Sequence, residues 1–392
     1  MTPHPREIRS YLTGESSHRL LVAALSELGA ELEDVRAHLV YQISHTSVTY
    51  QARLDGKPGY LVATTRPLPE HTTTHGREQA AQRWVTVESD IGPVTVFVYP
   101  HDPFLPALAS LQAEVPTPAD VLAYRPTRRA VLDLGERGFA KIAAPRATAQ
   151  LARRHKQLSA AGLPVPRVLE EHPGAVIISR LQGARLTAMV QEEGGASTYA
   201  HVKALLDSLP AAVTRLPARR SWCERIERHA RSARTVLPGH AQRIERIAAA
   251  VAEDLDAGPP GPIVPTHGDL YEANVLTEQG RITGLLDIDG VGPGYRIDDL
   301  ACLLGHLSVI PLASYSPEFG WAITELWAEA AADLDPERLA VRAGGIALTL
   351  VAGAMRDESR PYEARYRAAV HRLQIAEAWS RGAPPARWLS PM

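Results

Sequence analysis

Asparagine occurs once in this chain of 392 residues, at Asn274. Lysine occurs only at Lys57, Lys141, Lys156 and Lys203, although Lys and Arg together number 42. Two cysteines, Cys223 and Cys302, are too few for a disulfide framework and fit a reducing compartment. The formal net charge is -2, so the basic surplus of a nucleic-acid-binding domain is missing. No apolar run approaches the ~20 residues that span a bilayer. The N-terminus, "MTPHPREIRSYLTGESSHRL", has no apolar signal core. Together these absences lead us to expect a cytoplasmic protein with no nucleic-acid partner, no membrane partner and no obligatory protein partner. They also make the rare residues informative. A lysine kept against so strong an arginine bias is one whose ammonium chemistry counts.

What is present is a chain with 45% hydrophobic residues, long enough for two or three domains. Residues 17–30 read as a short amphipathic helix. Residues 37–66 alternate apolar and polar side chains about a turn at Asp55–Gly59, and 84–100 form another hairpin about Asp90–Pro93. Residues 121–143 read strand, strand, turn at Gly135–Gly138, strand. Set beside 39–64, they share Leu-x-Tyr, a long strand, a glycine turn and an aromatic-led strand. A degenerate internal repeat offset by 83 residues between Tyr41 and Tyr124 accounts for this, with Lys141 falling near Ala63 or Thr64 of the first copy. The alternative is that any two β-meanders look alike. From 146 the period becomes helical and stops at Gly162 and Pro164. Residues 175–181 form a short buried strand that breaks at Gly183. The rest is mainly helical, interrupted by Pro/Gly loops at 237–239 and 258–265.

The second of these loops leads into "HGDLYEANVLTEQGRITGLLDIDG", residues 267–290. Val275-Leu276 and Ile282–Leu286 are expected to pair about a turn at Glu278–Gly280, with Asn274 and Asp287 symmetric about it. Opposed residues in an antiparallel pair have Cβ atoms ~5 Å apart on one face. An amide oxygen and a carboxylate would then converge, a donor set that suits Mg2+. Asp269, on the loop entering the hairpin, is placed to take a proton from a nucleophile near metal-bound phosphates.

H-x-D-x-x-x-x-N followed by a strand-borne Asp resembles the catalytic loop of the protein-kinase-like fold. The Gly between His and Asp, with "LLDIDGVGPGYRIDDLA" following, is similar to the aminoglycoside phosphotransferase and choline kinase branch of that fold. The resemblance implies an α+β, bilobal molecule. Residues 1–118 would be an N-terminal β-rich cap, 119–183 a β-rich N-lobe and 184–392 a mainly helical C-lobe. It also implies transfer of the γ-phosphate of ATP, or GTP, to a hydroxyl of a small acceptor. Asp269 would be the catalytic base, and Asn274 and Asp287 would hold Mg2+. His267 and Asp299 would support the loop. Lys141 would contact the nucleotide α/β-phosphates, Arg128 would add charge there, and Ile178 and Leu181 would lie at a hinge beside the adenine.

The chain departs from the family pattern in places. Ile288 replaces the usual aromatic after the metal Asp, and Tyr295-Arg296 stand where Asp-Pro is common. The helix after Lys141 has no acid between Pro145 and Gly162 to pair with the lysine, leaving Gln150 as a substitute. The loop "RPTRR" at 125–129 has no glycine, so Arg125, Arg128 or Arg129 would supply charge in place of close backbone approach. These departures keep a second reading open, a nucleotide-binding sensor without transfer activity. Other residues read as structural: Asp289 as a turn residue or indirect support for the metal, Asp298 as a helix N-cap, His306 and Cys302 as core. Trp321, Trp327 and Trp379 read as core or, for one of them, the floor of a sugar site.

For the acceptor, residues 298–363 hold eleven acids, Asp298, Asp299, Glu318, Glu325, Glu329, Asp333, Asp335, Glu337, Asp357, Glu358 and Glu363, against four arginines. An acidic wall beside the catalytic loop would favour an amino sugar or aminoglycoside. Segment 214–250 carries nine arginines and opposes that lean.

Overall fold

The computed structural model describes residues 3–42, 44–69, 83–114, 121–310, 318–356 and 360–382. The chain divides into two units, residues 1–153 with 167–180, and residues 154–166 with 181–392.

The first unit opens with two helices, α1 (Pro5–Thr13) and α2 (Glu15–Glu27). The first was not expected. Pro5 at its start and reciprocal capping between His4 and Glu7 begin it. Strands β1 (Leu32–Gln42), β2 (Thr46–Leu54), β3 (Lys57–Thr64), β4 (Trp84–Val87) and β5 (Val94–Val98) follow, then the short helix α3 (Ala107–Gln112). A second series comprises β6 (Val121–Arg125), β7 (Arg129–Asp133), β8 (Phe139–Ala143), helix α4 (Pro145–Ala160), β9 (Val168–His172) and β10 (Ala175–Ile178). The expected strand over 175–181 thus ends at Ile178.

The two sheets have one topology. Their orders are β1-β2-β3-β5-β4 and β6-β7-β8-β10-β9. In the first ladder of each sheet the pairing next to the turn agrees with the 83-residue offset. Val40 pairs with Val48 as Ala123 pairs with Val131, and Tyr41 with Ser47 as Tyr124 with Ala130. In the next ladder Val48 faces Ala63 where Val131 faces Lys141, so Ala63 stands in the place of Lys141. Both copies bury one face in an apolar cluster. Val48, Ala63 and Val96 pack with Leu12, Leu21 and Leu25 of the first helices. Ala140, Ile142, Ala175 and Ile177 pack with Leu105, Leu108 and Leu111.

Asp102, 2% exposed, joins the two series. Its carboxylate accepts from Phe104 N (2.9 Å), Tyr124 Oη (3.0 Å) and Thr127 N (2.7 Å). Arg66 donates to the Thr127 carbonyl and stacks on Phe104 at 4.7 Å. Thr127 has φ 63, so the glycine-free turn 125–129 adopts a left-handed residue that costs free energy unless its surroundings hold it. Asp102 and Arg66, both from the N-terminal region, hold it. The exposed Arg128 is displayed by this turn.

The second unit contains β11 (Ala184–Arg185), α5 (Leu186–Asp207), α6 (Ile226–Val236), α7 (Ala241–Asp256), β12 (Val264–Thr266), β13 (Val275–Glu278), β14 (Arg281–Leu285), β15 (Gly292–Gly294), α8 (Arg296–Ser308), α9 (Glu318–Asp333), α10 (Pro336–Val351) and α11 (Tyr362–Trp379). One apolar core runs through it, including Leu303, Phe319, Leu348 and Trp379. α5 kinks at Gly194, and a Cβ on Gly195 would lie 1.8 Å from the Ala322 carbonyl oxygen. The two helices touch backbone to backbone there. Pro336–Met355 is long and apolar enough to cross a membrane by length and composition, against the expectation that no segment would be, but 61% of it is buried within the fold. It also carries Arg338 and Arg342, both ion-paired to Asp254. It is a core helix.

Burial pushes the Asp102 carboxyl up to about 6, the hydrogen bonds opposing only in part. A group whose folded pKa is raised adds stability below its unfolded value of 3.8 and loses that increment as pH rises through about 6. Asp102→Ala leaves three donors unpaired and is expected to cost about 2–4 kcal/mol. Thermal melts of both proteins at about pH 7 and about pH 5 should show the gap widening on the acid side.

Candidate active site

Strand β12 pairs with β15, Thr266 opposite Gly292, and delivers the His267-Gly268-Asp269 turn beside residues 287–291. The turn is fastened by one carboxylate. Asp299, 1% exposed near the start of α8, accepts from His267 N through Oδ2 and from Gly268 N through Oδ1, each at 2.8 Å. Gly268 has φ 79, and a Cβ on it would lie 2.7 Å from the Gly290 carbonyl oxygen. The position therefore requires glycine for both conformation and space. His267 is fully buried and its Nε2 donates to the Leu286 carbonyl at 2.8 Å, tying the turn to the end of β14.

The hairpin differs from the sequence expectation. β14 begins at Arg281 and ends at Leu285, and a register shift at Leu276/Thr277 moves the pairing by one residue. Leu286 N donates to the Asn274 carbonyl at 2.8 Å, so Leu286 lies opposite Asn274. Asp287 is one residue beyond, not directly opposed. It has φ 48 and ψ 47, a left-handed conformation that an aspartate tolerates better than most residues. Asn274 is buried, and its Nδ2 donates to the Asp269 carbonyl at 3.0 Å. That bond fixes the amide with Oδ1 directed elsewhere, available as an oxygen ligand.

The Asp269 carboxylate accepts from Trp222 Nε1 at 2.9 Å. Burial raises its pKa, the indole bond lowers it, and the Asp287 charge raises it again. Two carboxylates close enough to repel, with an oriented amide oxygen beside them, form a donor set that fits a divalent cation with oxygen ligands. Among the described residues no three His, Cys, Asp or Glu side chains cluster at metal-binding spacing. A cation here would rest on Asn274, Asp287 and non-protein oxygens.

Asp299, His267, Asp269, Asn274 and Asp287 thus come together in the second unit. Lys141, Arg128 and Ile178 belong to the first, on β8, the 125–129 turn and the end of β10. The division of the chain falls between Arg180 and Leu181, inside the expected hinge. Asp289 lies in a short 3-10 turn, and its carbonyl accepts from Arg154 at 2.9 Å. His306 stacks on Tyr271 at 4.4 Å, and Cys302 is buried in the core, as expected.

Three expectations need correction. Asp298 is not an N-cap, since Tyr295 occupies that position; Asp298 instead pairs with the buried Arg342 at 2.6 Å. Not all the acids of 298–363 stand free. Asp299 braces the catalytic turn, Glu325 accepts from Gly195 N, Asp333 binds Tyr199 and Lys203, and Asp335 caps α10. Asp357 and Glu358 lie outside the described residues. Of the tryptophans singled out, Trp379 is core and Trp321 is 67% exposed. The tryptophan that reaches the site is Trp222, which no spacing or periodicity flagged. As expected, the helix after Lys141, α4, holds no acid. Register brings a different acid, Glu171 of β9, onto the face of Lys141, because both are paired with Val176 of β10.

The family model of the phosphotransferase enzyme family matches residues 122–340. No curated protein matches the sequence of the chain. Similar solved structures include an aminoglycoside-3'-phosphotransferase of type VIII, 24% identical, covering 62% of this chain and 97% of its own with a TM-score of 0.40. A choline kinase from Cryptosporidium parvum is 14% identical over 72% of this chain and 98% of its own, TM-score 0.41. A choline/ethanolamine kinase family protein from Mesorhizobium loti is 17% identical over 70% and 97%, TM-score 0.43. The fold is α+β and protein-kinase-like. With the HGD turn, the Asn274–Asp287 hairpin and the Asp299 brace all inside a match that spans more than half of its residues, the chain belongs to the phosphotransferase enzyme family.

Proposed function

We propose that this protein is a small-molecule kinase that moves the γ-phosphoryl group of ATP, or GTP, to a hydroxyl of a small acceptor, with Mg2+ bound at Asn274 and Asp287. The observation that carries the reading is the Asp269 carboxylate, aimed by its own backbone tie to Asn274 and by the Trp222 indole. Bound Mg2+ would neutralise and orient the triphosphate. Asp269 accepts the proton of the attacking hydroxyl. Its raised pKa makes it a better base. Asn274 presents its amide oxygen and Asp287 its carboxylate to the cation. Asp299 and His267 keep the turn from relaxing. Lys141 holds the α/β-phosphates, with Arg128 adding charge and Ile178 and Leu181 flanking the base. Both cysteines are free and buried, which fits the cytoplasm as its compartment.

Asp269→Ala is expected to lower turnover by ~10²–10⁴-fold while leaving Mg-nucleotide affinity nearly unchanged. Retention of more than about a tenth of wild-type turnover removes the assignment. Nucleotide binding without transfer to any acceptor, and without slow Mg2+-dependent hydrolysis, would make the protein a sensor instead.

Asn274→Ala and Asp287→Ala are expected to weaken ATP binding only when Mg2+ is present. Parallel titrations with Mg2+ and with a chelator check this. A Mg2+ dependence intact in Asp287→Ala contradicts the metal site.

Lys141→Ala is expected to raise the ATP KM or lower kcat. Unchanged constants would pass its role to the arginines of 125–129.

A further inference from the structure

The Trp222 indole that touches Asp269 sits in a cluster of cations. The Arg225 guanidinium lies 4.3 Å from its ring centroid, and the His229 ring lies 5.5 Å away. Arg219 lines a cavity with Trp222, Gly268 and Gly290. Burial lowers the pKa of Arg225, the charges of Arg219 and Arg228 add to that, and those of Asp269 and Glu224 oppose it. Those of Arg228, Arg225 and Arg356 add to burial in lowering His229 to about 4. Among the described residues, none of these four arginines makes an ion pair within 4.0 Å. The Glu224 carboxylate is turned to Ser221 N. His229 Nε2 is buried without a hydrogen-bond partner. Like charges gathered on one rim repel, and they persist at low cost when an anion neutralises them.

We propose that Arg219 and Arg225, beside Trp222, bind an anionic group on the acceptor, a carboxylate or a phosphate, while its hydroxyl lies at Asp269. The inference rests on the phosphotransferase reading and deepens it. It reverses the acceptor charge expected from the acids of 298–363, five of which, Asp298, Asp299, Glu325, Asp333 and Asp335, are engaged in pairs, braces or caps. Arginine suits the role because its planar donor fork matches both oxyanions.

The test follows Trp222 emission in the full-length protein, titrated at constant ionic strength with inorganic phosphate, acetate and methylammonium. Trp222→Phe identifies the signal. Saturable quenching by phosphate or acetate is expected, with the dissociation constant raised about tenfold or more in Arg219→Gln and Arg225→Gln. The stronger of the two anions tells a phosphorylated acceptor from a carboxylate acceptor. Absence of saturation, a response to methylammonium alone, or unchanged affinity in both variants overturns the proposal. Mg2+-dependent ATP turnover on the same wild-type sample separates the two readings. Turnover without anion binding removes only the anionic acceptor. Anion binding without turnover keeps the site and removes the kinase.

A second inference stands on the sheet register alone. Val131, Lys141, Val176 and Glu171 form one row across β7, β8, β10 and β9. The equivalent row of the first sheet is Val48, Ala63, Val96 and Val85. Directly paired residues point to the same face. Lys141 and Glu171 therefore share a face two strands, ~10 Å, apart, a span that an extended lysine and glutamate close. The lysine and the acid are present together in one copy. Both are replaced by apolar residues in the other, where Val48, Ala63 and Val96 are fully buried. The neighbouring Glu170 lies on the opposite face with Arg137 and His172. We infer that Glu171 is the positioning carboxylate for Lys141, supplied by a strand because α4 has no acid.

Glu171→Gln should raise the ATP KM several-fold, and Glu171→Asp should recover part of the loss. In a Lys141→Met background Glu171→Gln should have little further effect, since a residue acting through the lysine couples to it. Additive effects in that cycle, or an unchanged KM in Glu171→Gln, overturn the assignment. A purely structural role would lower the melting temperature of both single variants without coupling in KM.

Discussion

The bidentate brace from Asp299 to the amides of His267 and Gly268 is the interaction on which the site depends. Those amides belong to a turn with a left-handed glycine, where no regular ladder satisfies them. A buried carboxylate that accepts two of them is costly to desolvate, and burial does raise the Asp299 pKa. The His267 charge and the two amide bonds oppose that rise. With the turn fastened, the His267 ring reaches Leu286, Asn274 reaches the Asp269 carbonyl, and Asp269 itself is left facing Trp222. Each of these bonds is local in space and long-range in sequence, so the site is a product of how α8, β12 and the hairpin pack together.

The first unit repeats one five-stranded topology, and the two copies have diverged in chemistry. The second keeps Lys141 and Glu171 on one face. In the first, the same row is filled with valine and alanine and sealed by α1 and α2. A charged pair at Ala63 and Val85 would be desolvated without a phosphate to offset the loss. The first copy serves instead as a support. Through Asp102 and Arg66 it fixes the strained Thr127 turn, which carries no glycine of its own.

Charge in the second unit is arranged by pairing. Five of the acids in the 298–363 run, Asp298, Asp299, Glu325, Asp333 and Asp335, are taken up by Arg342, Lys203, backbone amides and a helix cap. The arginines of 219–228 form no ion pair within 4.0 Å among the described residues, and Arg219 and Arg225 lie at the tryptophan beside the catalytic base. Net composition hid this, since acids and bases nearly cancel over the whole chain.

Much of the local structure was legible in the sequence, because period and turn chemistry act over a few residues. The 3.6-residue period after 146, the alternation in 37–66 and 84–100, and the 83-residue offset all concern short-range order. So does the HGD turn, whose glycine is required by a backbone conformation. Tertiary structure alone decided the rest. The one-residue slip that moved Asp287 off Asn274 comes from a bulge that the residues do not announce. Asp298 was taken from its cap by Arg342, forty-four positions away. Trp222 reached Asp269, and Glu171 joined the row of Lys141, through pairings between distant segments. Periodicity fixes which face of an element is apolar. Which polar side chains from other elements meet there depends on packing, where burial makes an unpaired charge too costly to leave alone.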